Sequence, residues 1–222
     1  GAEPTGLVRC LWAPPNEVSL AEDLLAQALA HLRTRGLEKI AACVWGTGYP
    51  WYQARDGACW EGKAHLLEAF ERQGFRRVYR EFAMRARLTK DCVVRKCGVE
   101  FEPRILEKRE PGTISTCHEA HVAEAKVGEA QWFPCSERSR HPDARRAAYV
   151  WWVWTHEDYR RRGIATCLLS EVLNRMRTEG FSEVFLHTAC DNLGGQSIYG
   201  RLGFEVLGTC ASFMLGPGTP DW

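Results

Sequence analysis

Arg160-Arg161-Arg162-Gly163-Ile164-Ala165 is the stretch of this chain whose residue types and spacing most directly offer chemistry. Guanidinium groups make paired, charge-assisted hydrogen bonds to phosphate oxygens. Glycine and alanine leave room for such a ligand to approach the backbone. An amphipathic pattern follows, with Cys167, Leu168, Val172, Leu173 and Met176 recurring at helical spacing. The N-terminus of that helix would present about four backbone N–H groups without internal partners, together with a partial positive charge. These features predict a pyrophosphate cradle. The plainer reading is a solvated turn, since runs of arginine and glycine-containing loops before helices are both common. The nucleotide-binding patterns GxxxxGK[ST] and GxGxxG are absent here.

Elements on either side must position that loop. Tyr149-Val150-Trp151-Trp152-Val153-Trp154 reads as a strand buried on both faces, joined to the arginines by the polar turn Thr155–Tyr159. Ser182–Thr188 reads as a second strand. A polar break, a short helix and a Gly-Phe stop then occupy Asn192–Phe204.

Arg160-x-x-Gly163-x-Ala165, followed by Asn192-x-x-Gly195-x-x-x-Tyr199-x-x-x-Gly203-Phe204, closely resembles the GNAT superfamily of N-acetyltransferases. The resemblance implies an α/β (α+β) fold: a mixed, mostly antiparallel sheet, flanked by helices, that splays apart near its central strand. It implies acetyl-CoA as co-substrate and no metal. Arg160, Arg161, Arg162, Gly163, Ile164 and Ala165 would then hold the pyrophosphate. Trp152, Val153 and Trp154 would pair with the pantetheine arm as a neighbouring strand does, and Asn192 would bond the same arm. Tyr199 would bind near the thioester sulfur and donate a proton or hydrogen bond to it. Apart from the resemblance, Asn192 is a helix cap and Tyr199 a packed helix residue.

The general base stays open. Glu124 and Glu129 fall on an expected hairpin, where some family members place a carboxylate acting through water. His187 alternates with Leu186 and faces either the pocket or the core. His156 and Glu157 read as solvated, and bound water alone is a further option. The implied activity is acetyl transfer to a primary amine of a small molecule, by direct attack in a ternary complex. Two alternatives stand beside it: a noncatalytic acyl-CoA-binding module, and an acetyltransferase acting on protein amines. Trp132, Trp151, Trp152 and Trp154 either line an acceptor pocket or fill the core.

Composition bounds these readings. The 222 residues suffice for a buried core, in one large domain or two small ones. The 29 basic and 28 acidic side chains balance, which argues against a protein that binds nucleic acid by neutralising phosphates. No apolar run approaches the length of a membrane span, and no signal pattern opens the chain. The ten cysteines form no Cys-x-x-Cys pair, and several (Cys10, Cys43, Cys167) lie in apolar segments. Buried free thiols in a reducing cytoplasm are expected, in a monomer or homodimer.

Residues 1–90 hold an internal echo of residues 91–222. Arg33-Thr34-Arg35-Gly36-Leu37 matches Arg177-Thr178-Glu179-Gly180-Phe181, and Phe70–Phe75 matches Tyr199–Phe204. The first stretch is longer between these features, with the surplus in the Gly-, Trp- and Tyr-rich 46–62. It therefore resembles a partial, degenerate copy of the domain, ahead of a catalytic copy at 91–222. Its strands are expected near Leu7–Trp12, Lys39–Trp45 and Tyr79–Leu88, and its helices near Ser19–Arg35 and Lys63–Gln73. Ala13-Pro14-Pro15-Asn16-Glu17 replaces the cradle; it has no glycine, and its prolines supply no N–H. Phe70 replaces the tyrosine. In the second copy, Cys92–Phe101 reads as a strand and Glu102–Gly112 as a connection. Thr113–Thr116 and His121–Lys126 read as strands. A turn is expected near Val127–Glu129, a return strand at Ala130–Phe133, and an exposed loop at Pro134–Arg146.

Overall fold

The computed structural model describes residues 4–44, 59–89, 97–110 and 113–217. The chain divides into two compact units, Gly1–Ala83 with Gly208–Trp222, and Met84–Leu207. Among the described residues, no helix is long and apolar enough to cross a membrane.

The first unit starts with β1 (Gly6–Val8), α1 (Val18–Arg33) and β2 (Ile40–Ala42), then β3 (Cys59–Trp60) and α2 (Ala64–Arg72). It takes the first part of β4 (Arg76–Arg87) and the end of β10 (Glu205–Leu215). β1 runs parallel to β2, and β2 and β3 pair antiparallel with β10. Ala21, Leu25 and Leu29 recur at helical spacing on α1 and are buried. They share a core with Leu66, Leu67 and Phe70 of α2. The Phe70 ring stacks on Phe213 at 4.6 Å and meets Phe75 edge-on at 5.3 Å. Those pairs add attraction beyond the burial of area alone. The strand expected through Trp45 enters residues outside the described ones, as does most of 46–62.

The second unit contains β5 (Glu102–Glu110), β6 (Thr113–Val122), β7 (Ala125–Pro134), β8 (Ala147–Thr155), α3 (Ile164–Thr178), β9 (Glu183–Ala189) and α4 (Leu193–Arg201). Strands β5 to β9 lie in chain order, the first four antiparallel and β9 parallel to β8. A mixed, mostly antiparallel sheet with flanking helices is what was expected. The apolar stripe of α3 is buried as its spacing predicts. Gly36 and Gly180 both close their helices in the left-handed conformation, at φ 73° and 93°.

Five expectations need correction. Glu102–Gly112 is not a connection: most of it is β5, the outermost strand, whose charged side chains suit an edge and whose Pro103 near the start is tolerated there. Residues 97–101 form no strand, and 90–96 lie outside the described residues. The hairpin turns at Ala123–Glu124, with Ala123 at φ 51°, rather than at Val127–Glu129. Gly128 lies inside β7, where a Cβ would stand 2.8 Å from Ile164 Cγ2, so this glycine admits α3 rather than a turn. β8, in turn, is fully buried only over its first four residues and half-buried from Trp151 on. Among the cysteines, Cys43 and Cys167 are buried but Cys10 is exposed.

Candidate active site

The loop between β8 and α3 turns sharply through two left-handed residues, Arg161 at φ 60° and Gly163 at φ 90°. A side chain is strained at Gly163, which explains the glycine there. α3 then begins with no side-chain cap and no acidic residue in its first turn. Its leading N–H groups therefore keep their capacity to hold an anion. A cavity of about 440 Å³ opens at this point, lined by Thr155, Arg160, Arg161 and Ala165 on one side and by Ser197 and Arg201 of α4 on the other. Arg160 Nε donates to the Thr155 carbonyl at 3.2 Å, while Arg162 lies 5.4 Å over the Tyr159 ring. The cavity thus gathers Arg160, Arg161, Gly163, Ile164 and Ala165, and Arg162 is turned aside. A diphosphate fits this arrangement: uncapped amides, two guanidinium groups, and a glycine whose left-handed backbone a side chain would strain.

The next feature is a fork. β8 pairs with β9 through Ala147↔Glu183, Ala148↔Val184 and Tyr149↔Phe185, and there the pairing stops. On the other edge of β8, Gln131 pairs with Trp152 and Trp132 with Val150, which leaves Trp151 as the extra residue of a bulge. Trp152, Val153 and Trp154 follow the bulge and run toward the cradle. Tyr149 and His187 bridge the two strands at the fork, hydroxyl to Nδ1, 2.8 Å.

The remaining sequence candidates fall in different places. Asn192 caps α4, its Oδ1 accepting from Gly195 N–H at 3.0 Å and its Nδ2 donating to Thr188 Oγ1 at 3.0 Å. Tyr199 is buried in α4 against Phe204, with ring centroids 5.9 Å apart. Glu124 stands at the tip of the β6–β7 hairpin, its side chain 93% exposed, with Arg104 3.5 Å away. It is not brought to the cavity.

A polar group missed by the sequence reading, apart from Glu129, lies on the sheet face opposite α3. Register places Glu119 beside Glu129, Cys117 beside Gln131, and these next to Trp154 and Trp152. Lys126 Nζ lies 2.8 Å and Lys108 Nζ 3.1 Å from Glu129 Oε2, and His121 Nε2 lies 2.9 Å from Glu119 Oε2. Burial pushes the Glu129 carboxyl up, but hydrogen bonds from Lys126 and Lys108 outweigh it and hold the group below its usual range. Glu119 is likewise held low, burial being outweighed by His121 and the two lysines. Burial pushes the Cys117 thiol up to about 11. The donor atoms of Cys117, Glu119 and Glu129 lie within 4.8 Å of one another, a spacing that suits a cation. Two ammonium groups already neutralise it. The alternation Cys117-x-Glu119-x-His121 was the available signal, since a strand puts all three on one face.

Comparison with known proteins bears on the family and the fold. Residues 91–204, just over half of the chain, match the acetyltransferase (GNAT) family. A tandem GNAT protein from the clavulanic acid biosynthesis pathway superposes with a TM-score of 0.70 at 16% identity, covering 97% of this chain and 76% of that one. A GCN5-related N-acetyltransferase from Sphaerobacter thermophilus gives 0.64 at 13% identity, covering 92% and 71%. These likenesses are of fold. In sequence, the chain is 32% identical over 73 residues to N-alpha-acetyltransferase 50 of Danio rerio, covering 32% of this chain and 44% of that protein. It is 32% identical over 65 residues to the probable N-acetyltransferase san of Drosophila melanogaster, covering 29% and 35%. The chain thus spans less than half the length of these curated relatives.

Proposed function

The chain belongs to the acetyltransferase (GNAT) family, and from that membership we propose that it transfers an acetyl group from acetyl-CoA to a primary amine of a small molecule. The observation that carries the proposal is the cradle, where left-handed Gly163 delivers uncapped helix amides and Arg160 and Arg161 to one cavity. The amides of Ile164 and Ala165 hold the pyrophosphate. The edge of β8 beyond Tyr149 meets the pantetheine arm through its main chain. Tyr199 supplies the hydrogen bond to the leaving sulfur. Glu129, next to Trp154 on the polar face, is better placed than Glu124 to accept the amine proton through water.

Residues 1–90 are read as a degenerate copy. Phe75 N–H bonds the Phe70 carbonyl just as Phe204 N–H bonds that of Tyr199, both at 3.0 Å. A protein amine is the second reading, favoured by the match to N-alpha-acetyltransferase 50.

Calorimetric titration of acetyl-CoA into wild type and Gly163→Glu tests the proposal. Expected is binding at about micromolar Kd in wild type, lost in a variant that still melts cooperatively. No binding by wild type would sink the reading. Thiol release with a panel of small amines, set against N-terminal peptides, then separates the two acceptor classes.

A further inference from the structure

Two thiols bracket the cradle glycine. Cys97 lies in the segment leading to β5 and is half-buried; Cys167 sits in the first turn of α3 and is buried. The Cys97 thiol lies near enough to Cys167 to raise the pKa of the Cys167 thiol. The Cys97 thiol also donates to the Arg162 carbonyl at 3.3 Å, which accepts from Gly98 N–H at 2.8 Å as well. On the helix side, Cys167 N–H donates to the Gly163 carbonyl at 3.0 Å. A Cβ on Gly163 would stand 3.8 Å from Cys97 Cα and 4.0 Å from its sulfur. The Arg162–Gly163 turn is therefore clasped by both cysteines.

We propose that Cys97 and Cys167 are a site of oxidative modification, converted by a peroxide into a disulfide that weakens the grip of the cradle on phosphate. The proposal rests on the reading of this loop as the cofactor cradle. Cys97, the more accessible sulfur, attacks the peroxide as its thiolate. The O–O bond breaks, one oxygen leaves as water or alcohol, and Cys97 becomes a sulfenic acid. The Cys167 sulfur then attacks Cys97 and gives up its proton. The S–S bond forms, the S–O bond breaks, and the hydroxide leaves with that proton as water. Two thiols lose two electrons and two protons, and the peroxide is reduced. Burial pushes the Cys167 thiol up to about 11, so it resolves the sulfenic acid rather than starting the reaction.

The product differs from the reduced form in two ways that bear on the loop. An S–S bond of about 2.05 Å is far shorter than any contact between two unbonded thiols, so the segment at Cys97 is drawn onto α3. The Cys97 S–H that holds the Arg162 carbonyl is gone.

Peptide mapping under non-reducing conditions after treatment with hydrogen peroxide is the test, with acetyl-CoA titration of reduced, oxidised and re-reduced protein. Expected are a Cys97–Cys167 cross-linked peptide, a Kd raised about tenfold or more, and recovery with dithiothreitol. Cys97→Ser, which keeps a hydroxyl donor for the Arg162 carbonyl, should show no change in affinity on peroxide treatment, and Cys167→Ala should give no cross-linked peptide. Absence of the cross-link, or a cross-link with unchanged affinity, overturns the proposal. If reduced wild type fails to bind acetyl-CoA, the cofactor reading falls. The disulfide is then judged by its peptide and by amide exchange at 161–165, which must change on oxidation.

Discussion

The Tyr149 hydroxyl lies 2.8 Å from His187 Nδ1, tying β8 to β9 at the last paired position before the two strands separate. His187 had two readings from sequence, base or core residue, and this bond gives its ring a positioning task. Tyr149 is buried, so losing this hydrogen bond costs about 0.5–1.5 kcal/mol. His187→Ala should lose stability of that order in urea melts while keeping turnover within about tenfold. A loss of turnover of about a hundredfold or more, with an altered pH profile, would restore His187 as the base.

The two hairpin carboxylates should behave differently. Glu124→Gln, at an exposed tip, should leave turnover within about twofold, whereas Glu129→Gln should reduce it about tenfold or more. Rates under saturating acetyl-CoA check both. Equal effects from the two variants would remove the polar face from the mechanism.

Arg161 lines the cavity, while Arg162 lies over the Tyr159 ring. Arg161→Ala should raise KM for acetyl-CoA about tenfold, an effect that shrinks with added salt. Arg162→Ala should change it less than about threefold. The reverse order would mean that the turn is rearranged when phosphate binds.

His118 gives a pH prediction. It is buried on the α3 side of β6, neither ring nitrogen has a hydrogen-bond partner among the described residues, and desolvation, with Arg175 nearby, lowers its pKa to about 4. The folded state keeps this ring neutral, and the unfolded chain protonates it near pH 6.5. The associated stability is therefore complete above about pH 6.5 and is lost as pH falls toward 4, on the order of 1–3 kcal/mol in total. His118→Met should flatten the difference between urea midpoints at pH 7.5 and pH 5. An unchanged difference would place the acid sensitivity elsewhere.

What the sequence disclosed follows how local each signal is. The glycine loop and α3 were legible because glycine, arginines and an apolar stripe sit within one short stretch. β5 was not, because an outermost strand carries charges on a pattern that looks like a linker. The polar face stayed hidden for a different reason. Lys108, Glu119 and Glu129 come from three strands and meet only through register. Gly128 shows a third limit: composition marks a glycine but does not say whether it bends the chain or makes room.

That room has a consequence for anyone tuning this loop. A methyl group at 128 would press on Ile164 at 2.8 Å and on Leu168 at 3.4 Å, the side chains that seat the first turn of α3. The backbone of β7 thus works as a gauge block, setting how far the helix mouth stands from the sheet. Affinity for an anion could be retuned from there without altering any residue that lines the cavity.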